Sequence, residues 1–176
     1  MEQQGLRELY VDNLKDMYSA EKQILRALPK MIKGAANEDL ANALEEHRAV
    51  TEQQVVRLEK IFRNLGNAAR AKKCKGMEGL LEEGAELLDQ ENESDVRDAG
   101  IIVAAQKVEH YEIAAYGSLR TFAELLGDDE AVQLLEESLD EEKDADEKLT
   151  ALAQSCINLE AANAEEEPAR KRAVRR

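Results

Sequence analysis

Four long stretches of this sequence bring apolar residues round at α-helical spacing, and in three of them acids interrupt the apolar stripe. Leu14, Met17, Glu21, Ile24 and Leu28 share one face. Ile102, Gln106, Glu109, Ile113 and Tyr116 share a second, and Leu135, Leu139, Glu142, Asp146 and Leu149 a third. Stripes of this length must be covered by other helices, so the chain is constrained to a helical bundle. A carboxylate turned into such an interior is expensive to desolvate unless positive charge meets it there. Carboxylates converging from separate helices imply a bound cation.

Composition supports the helices and narrows the function. The 176 residues suit one domain with a sizeable core. Ala, Leu, Glu, Lys and Gln abound and there are only two prolines, so propensity favours helix throughout and no segment reads as a strand. A net charge of −14 argues against general nucleic-acid binding by the folded body. No apolar run approaches the roughly 18 residues a transmembrane helix needs. The opening MEQQGLRELY lacks the basic-then-apolar form of a signal peptide, so the expected location is the cytoplasm, with no membrane partner. Cys74 and Cys156 do not form a zinc motif and read as two reduced thiols, with a single redox pair as the alternative.

Punctuation sets the boundaries. The first helix is expected over 4–33, kinked at Pro29 and stopped by a left-handed Gly34. Asn37 caps a second helix that ends at Gly66, which makes an antiparallel hairpin. Ser94 is the expected cap of a third long helix reaching Leu126 and Gly127; Asp128 and Asp129 open a fourth, to about Asn158. Between the hairpins, 67–93 carries a short amphipathic helix, Met77 to about Gln90, with Leu80, Leu81, Leu87 and Leu88 facing the body. Such a helix spans roughly 20 Å. That suits a crossover along the bundle, and the fold expected is all-α: a ferritin-like four-helix bundle with one long crossover carrying a short fifth helix. The domain covers 1–160. Residues 161–176, with an acidic block followed by RKRAVRR, read as a disordered charged tail, the one part suited to nucleic acid or an acidic partner.

The chemistry centres on Val108-Glu109-His110-Tyr111-Glu112-Ile113. Glu109 and Glu112 lie one turn apart, as do Glu142 and Asp146, and Glu21 adds a fifth carboxylate. An oxygen-rich set of this kind suits iron or manganese better than zinc or copper. The second helix offers His47, Thr51 and Gln54 inward and no acid; Glu52 lies one residue off the stripe. His47 reads either as a ligand or as a satisfied structural histidine. Glu112 and Glu52 read as ligands or as surface residues at the stripe margin. His110 falls beside the stripe, where it packs or hydrogen-bonds between helices, and Tyr18 and Tyr116 read as core filling or as phenols near the site.

The segments ELYVDNLKDMYSAEKQIL, EEHRAVTEQQVVRLEKIF, GMEGLLEEGAELL, QKVEHYEIAAYGSLR and LEESLDEEKDADEKLTALA together resemble the YciE/YciF family of bacterial ferritin-like proteins over about residues 5–155. The resemblance implies a ferritin-like bundle, commonly a dimer, with a dinuclear metal centre in a stress-associated protein of unsettled activity, labelled a ferroxidase by analogy. Carried onto this chain, it makes Glu21, Glu109, Glu112, Glu142 and Asp146 ligand candidates. The wider pattern's Glu-x-x-His pair is missing from the second helix, and Asp146 follows its Glu by four residues, so one ion or two unequal sites fit as well as a full pair.

Two functions compete. One is a metal-dependent oxidoreductase acting on iron with dioxygen or peroxide. The other is a structural or interaction bundle, with its inward acids paired to water or to cations such as Lys22, Lys107, Arg120 or Lys143 and metal binding vestigial. Metal buffering without turnover is a third possibility.

Overall fold

The computed structural model describes residues 2–90 and 93–164. The helices are α1 (Glu2–Gly34), α2 (Glu38–Asn64), α3 (Lys75–Asp89), α4 (Ser94–Leu125) and α5 (Asp129–Leu152). A π-helical turn, Ala153–Ile157, then leads into α6 (Asn158–Ala164). The described residues contain no strand. Of the expected tail, 161–164 continue α6, and 165–176, with the acidic block and the basic end, lie outside the described residues.

The two hairpins form as their punctuation dictates. Asn37 accepts from the Leu40 amide at 3.1 Å, and Asp128 accepts from Ala131 at 3.1 Å. Gly66 and Gly127 take φ of 68° and 72°, the left-handed conformation glycine allows at a helix end. Gly34 differs from expectation: it is helical, and its role is space, since a Cβ there would lie 2.6 Å from Leu88 Cδ2 of α3. Ser94 differs too. The cap position belongs to Glu93, which makes no side-chain cap bond, and the Ser94 hydroxyl is engaged with Asp95 at 3.1 Å. Pro29 is accommodated inside α1.

Cross-bundle contacts fix the topology. Asp98, at the start of α4, accepts from the amides of Ala36 and Asn37 in the α1–α2 turn at 2.9 and 2.7 Å. At the other end, Lys60 and Asn64 of α2 reach Glu130 at the start of α5, at 2.8 and 2.9 Å. The chain therefore returns along the length of the bundle between α2 and α4, and each of the packed pairs α1–α2, α1–α4, α2–α5 and α4–α5 is antiparallel. This is the ferritin-like arrangement. The crossover is pinned to α1 by Lys72 N to Lys15 O (3.1 Å), Cys74 N to Ser19 Oγ (3.0 Å) and Gln23 Nε2 to Cys74 O (3.0 Å). Cys74 caps α3, which packs on α1 and α4. Both cysteines are free thiols.

Apolar layers close the bundle on either side of a polar middle. Leu14, Met17, Leu58, Ile61 and Leu135 are buried on one side of it, and Ile24, Leu28, Leu44, Ile102 and Leu149 on the other. Each fully buried side chain of this kind contributes about 2 kcal/mol, enough together to carry a few ill-matched polar groups through the centre.

A candidate metal centre

At the polar middle four helices each present inward side chains. Glu21 comes from α1, His47 and Gln54 from α2, Glu109 and Glu112 from α4, and Glu142 from α5, all buried. Glu112, read from sequence as ligand or margin, is fully enclosed because α4 is covered by α1, α3 and α5 and has a wide buried face. One ligand atom from each of His47, Glu109, Glu112 and Glu142 falls within a group whose members all lie within 4.8 Å of one another. His47 Nε2 stands 3.6 Å from Glu109 Oε1.

Glu21 adjoins this group without belonging to it: its carboxyl meets that of Glu112, and Tyr116 donates its phenol proton to Glu21 Oε1. Tyr116 is thus more than core filling. Gln54 Nε2 donates to Glu142 and, at 3.1 Å, to Glu141. Asp146 lies outside the group, accepting from Gln106 Nε2 at 2.9 Å, with His110 Nε2 at 3.3 Å. Glu52 is exposed beside Arg48, and Tyr18 donates to Glu59 at 2.8 Å.

The cations expected to match these acids are elsewhere. Lys107 pairs with Glu83 at 2.5 Å, Arg120 with Glu124 and Glu136, and Lys143 with Asp140, while Lys22 contacts Tyr18. Among the described residues no Lys or Arg bridges to Glu21, Glu109, Glu112 or Glu142. In consequence Glu21 Oε2, His47 Nε2, Glu109 Oε2, both Glu112 oxygens and Glu142 Oε2 are buried without a hydrogen-bond partner. Burial pushes Glu21, Glu109 and Glu112 well above the usual carboxylate range, and Glu142 pushes all three in the same direction, while hydrogen bonds from Tyr116 and Glu112 draw Glu21 back in part. Burial, and then the charge of Glu21, raise the Tyr116 phenol likewise.

So many orphaned acceptors in one place fit a bound cation. One imidazole with carboxylates is a donor set that suits iron(II) or manganese(II). Two cavities reach the His47–Glu109 pair. One, of about 210 Å³, lies on the α2–α5 side, where Glu46, Glu141 and Asp144 give its wall a negative cast. The other, of about 190 Å³ and almost wholly apolar, lies beneath α3.

The family described as a domain of unknown function, DUF892, matches residues 5–162. Protein YciF of Escherichia coli strain K12 is 44% identical over 164 residues, spanning 93% of this chain and 99% of that one. This chain belongs to the DUF892, YciF-like family. The crystal structure of the E. coli stress protein YciF superposes with a TM-score of 0.84 at 45% identity, over 87% of this chain and 97% of that one. YcfI from Rhodopseudomonas palustris, provisionally named as a structural protein, gives 0.81 at 43% identity, over 82% and 92%. A Xanthomonas campestris protein at 24% identity shares the fold, with a TM-score of 0.72 over 92% and 99%. The YciF-like, all-helical expectation is met. No helix among the described residues is long and apolar enough to cross a membrane.

Proposed function

We propose that this YciF-like chain is a stress-associated metal-binding bundle that holds iron or manganese through His47, Glu109, Glu112 and Glu142, with Glu21 beside them for a second ion. The observation that carries the reading is the convergence of buried, unpartnered ligand atoms from three helices within 4.8 Å, with no Lys or Arg among the described residues to match them. A dication between the four side chains would offset the repulsion that now favours protonation of the acids.

Iron bound there would supply one-electron redox chemistry toward dioxygen or peroxide, the basis of a ferroxidase-type or peroxide-consuming activity. The chain's own residues hold the ligands. Gln54 fixes one oxygen of Glu142 and Tyr116 fixes one oxygen of Glu21, so each carboxylate keeps its other oxygen for the centre. Arg57 grips Glu141 at 2.6 Å and Glu137 at 2.7 Å, bracing α2 against α5 beside the cavity of about 210 Å³ that Glu141 lines. The apolar layers above and below keep bulk water from the site.

The competing structural reading pairs the inward acids with Lys, Arg or water, and of the cations it would draw on, Lys107, Arg120 and Lys143 are committed to surface acids. The test is a titration of metal-stripped full-length protein with manganese(II), and with iron(II) under anaerobic conditions. We expect saturation at one or two ions per chain and a raised melting temperature, both lost in Glu112→Gln and His47→Ala. A melting temperature unmoved by either metal would refute the reading. Admitting air to the iron(II)-loaded protein then separates turnover from simple buffering.

A further inference from the structure

The cavity of about 190 Å³ beneath α3 is walled by Ile24, Leu28, Met31, Leu80, Leu88 and Val108, and at one side by His47 and Glu109. Nothing on the metal reading requires a second, apolar space here. A bundle interior is normally close-packed, and an apolar void of roughly 150 Å³ is already large enough to take up benzene. Gly84 and Ala85 of α3, Ala27 of α1, and Ala104 and Ala105 of α4 also line this space, where larger residues would fill it. Met31 is a flexible wall: it lies 4.0 Å from the position a Gly84 Cβ would occupy.

Two exposed residues, Arg26 and Lys30, also line the cavity; they stand one helical turn apart on α1. In a chain of net charge −14, two cations stand beside this apolar cavity. Lys30 holds Asp89 across the surface at 2.9 Å. Arg26 spends its Nε on the Lys22 carbonyl at 2.8 Å and has no carboxylate partner among the described residues. Its terminal nitrogens are left to meet an anion.

We propose that this cavity binds an amphipathic carboxylate, a medium-chain fatty acid or a compound like it, with the alkyl chain inside and the carboxylate held by Arg26. The volume takes a chain of about six to eight carbons. Its far end would lie against His47 and Glu109. The binding itself does not depend on a metal.

The probes are sodium octanoate and 1-octanol, the same chain with and without charge, titrated into full-length protein both metal-stripped and manganese-loaded. We expect octanoate to bind about tenfold more tightly than 1-octanol, the size of one charge-assisted contact at a partly exposed site. Arg26→Gln should reduce octanoate to the level of 1-octanol and leave 1-octanol unchanged. Filling the space with Ala85→Leu or, independently, Ala27→Leu should weaken both probes at least tenfold while the protein still melts cooperatively. If neither filled variant folds, the Arg26→Gln comparison decides alone. Absence of binding by either probe at millimolar concentration would overturn the proposal, as would octanoate binding indifferent to Arg26→Gln or to the filled cavity. Failure of octanoate in a protein that still binds manganese would reject the pocket and leave the metal centre standing.

Discussion

Asp98 and Glu112 sit on the same helix, both buried, and only one of them is at peace. Asp98 is 3% exposed and each of its oxygens accepts a backbone amide from the α1–α2 turn. Glu112 is fully buried, and neither oxygen has a hydrogen-bond donor. Burial of an acid is therefore not the mark of a site. The mark is burial without a donor, repeated on facing helices, because a lone orphaned carboxylate would simply take a proton or be replaced.

The contrast can be broken by substitution, and the largest effect belongs to the satisfied acid. Asp98→Ala removes the charged acceptor of two part-buried amides and should lower unfolding free energy by roughly 3 kcal/mol in urea, equally with and without metal. A smaller loss that depended on manganese would mean that Asp98 also serves the centre. Next comes the metal itself: at 100 times its dissociation constant, manganese(II) should stabilise the wild type by about 2.7 kcal/mol, read from the shift in urea midpoint.

Glu112→Gln should act with the opposite sign to Asp98→Ala. Removing one of several crowded carboxylates relieves repulsion, so the metal-free variant should be more stable than wild type by about 1–2 kcal/mol at pH 8, and manganese should no longer help it. The pH dependence sharpens this. Glu21, Glu109 and Glu112 have folded-state values raised above the ordinary 4.5. Such groups add stability below the ordinary value and lose it as pH climbs through the folded value. Metal-free wild type should therefore lose melting temperature between pH 5 and 8 relative to Glu112→Gln, whereas the metal-induced gain should grow over the same range as protons cease to compete. The smallest effect belongs to Asp146. Held by Gln106 and set outside the ligand group, its change to Asn should alter manganese affinity less than about twofold, within the roughly 0.5 kcal/mol of an ordinary surface change.

Helical periodicity made Glu21, Glu109 and Glu142 legible, because each lies on a stripe with apolar residues before and after it. The same rule left Glu112 and His47 open. A single stripe describes a helix packed on one side, and α4 is packed on three, so its buried arc extends to residues a stripe leaves at its margin. Asp98 was hidden for a different reason: the segment SDVRD reads as a polar helix start, and the amides it serves are about 60 residues earlier in the chain. The hairpins, the crossover and its apolar face follow from Asn37, Gly66, Gly127 and the leucines of α3, which are local signals. Gly34 and the cap at Glu93 do not, since close approach of Leu88 and the path from the crossover into α4 are settled by packing. Tyr116 and Gln54 face inward by pattern, but the particular carboxylates they bind depend on how helices are set against one another.

The most direct measurement is anomalous diffraction from crystals of the full chain soaked in manganese(II), with a parallel iron(II) soak under anaerobic conditions. A strong peak enclosed by His47, Glu109, Glu112 and Glu142, absent from Glu112→Gln crystals, is the outcome that agrees with a cation compensating these acids. Peaks confined to surface carboxylates such as Glu46 or Asp144, with the interior vacant and the four side chains unmoved, would contradict it.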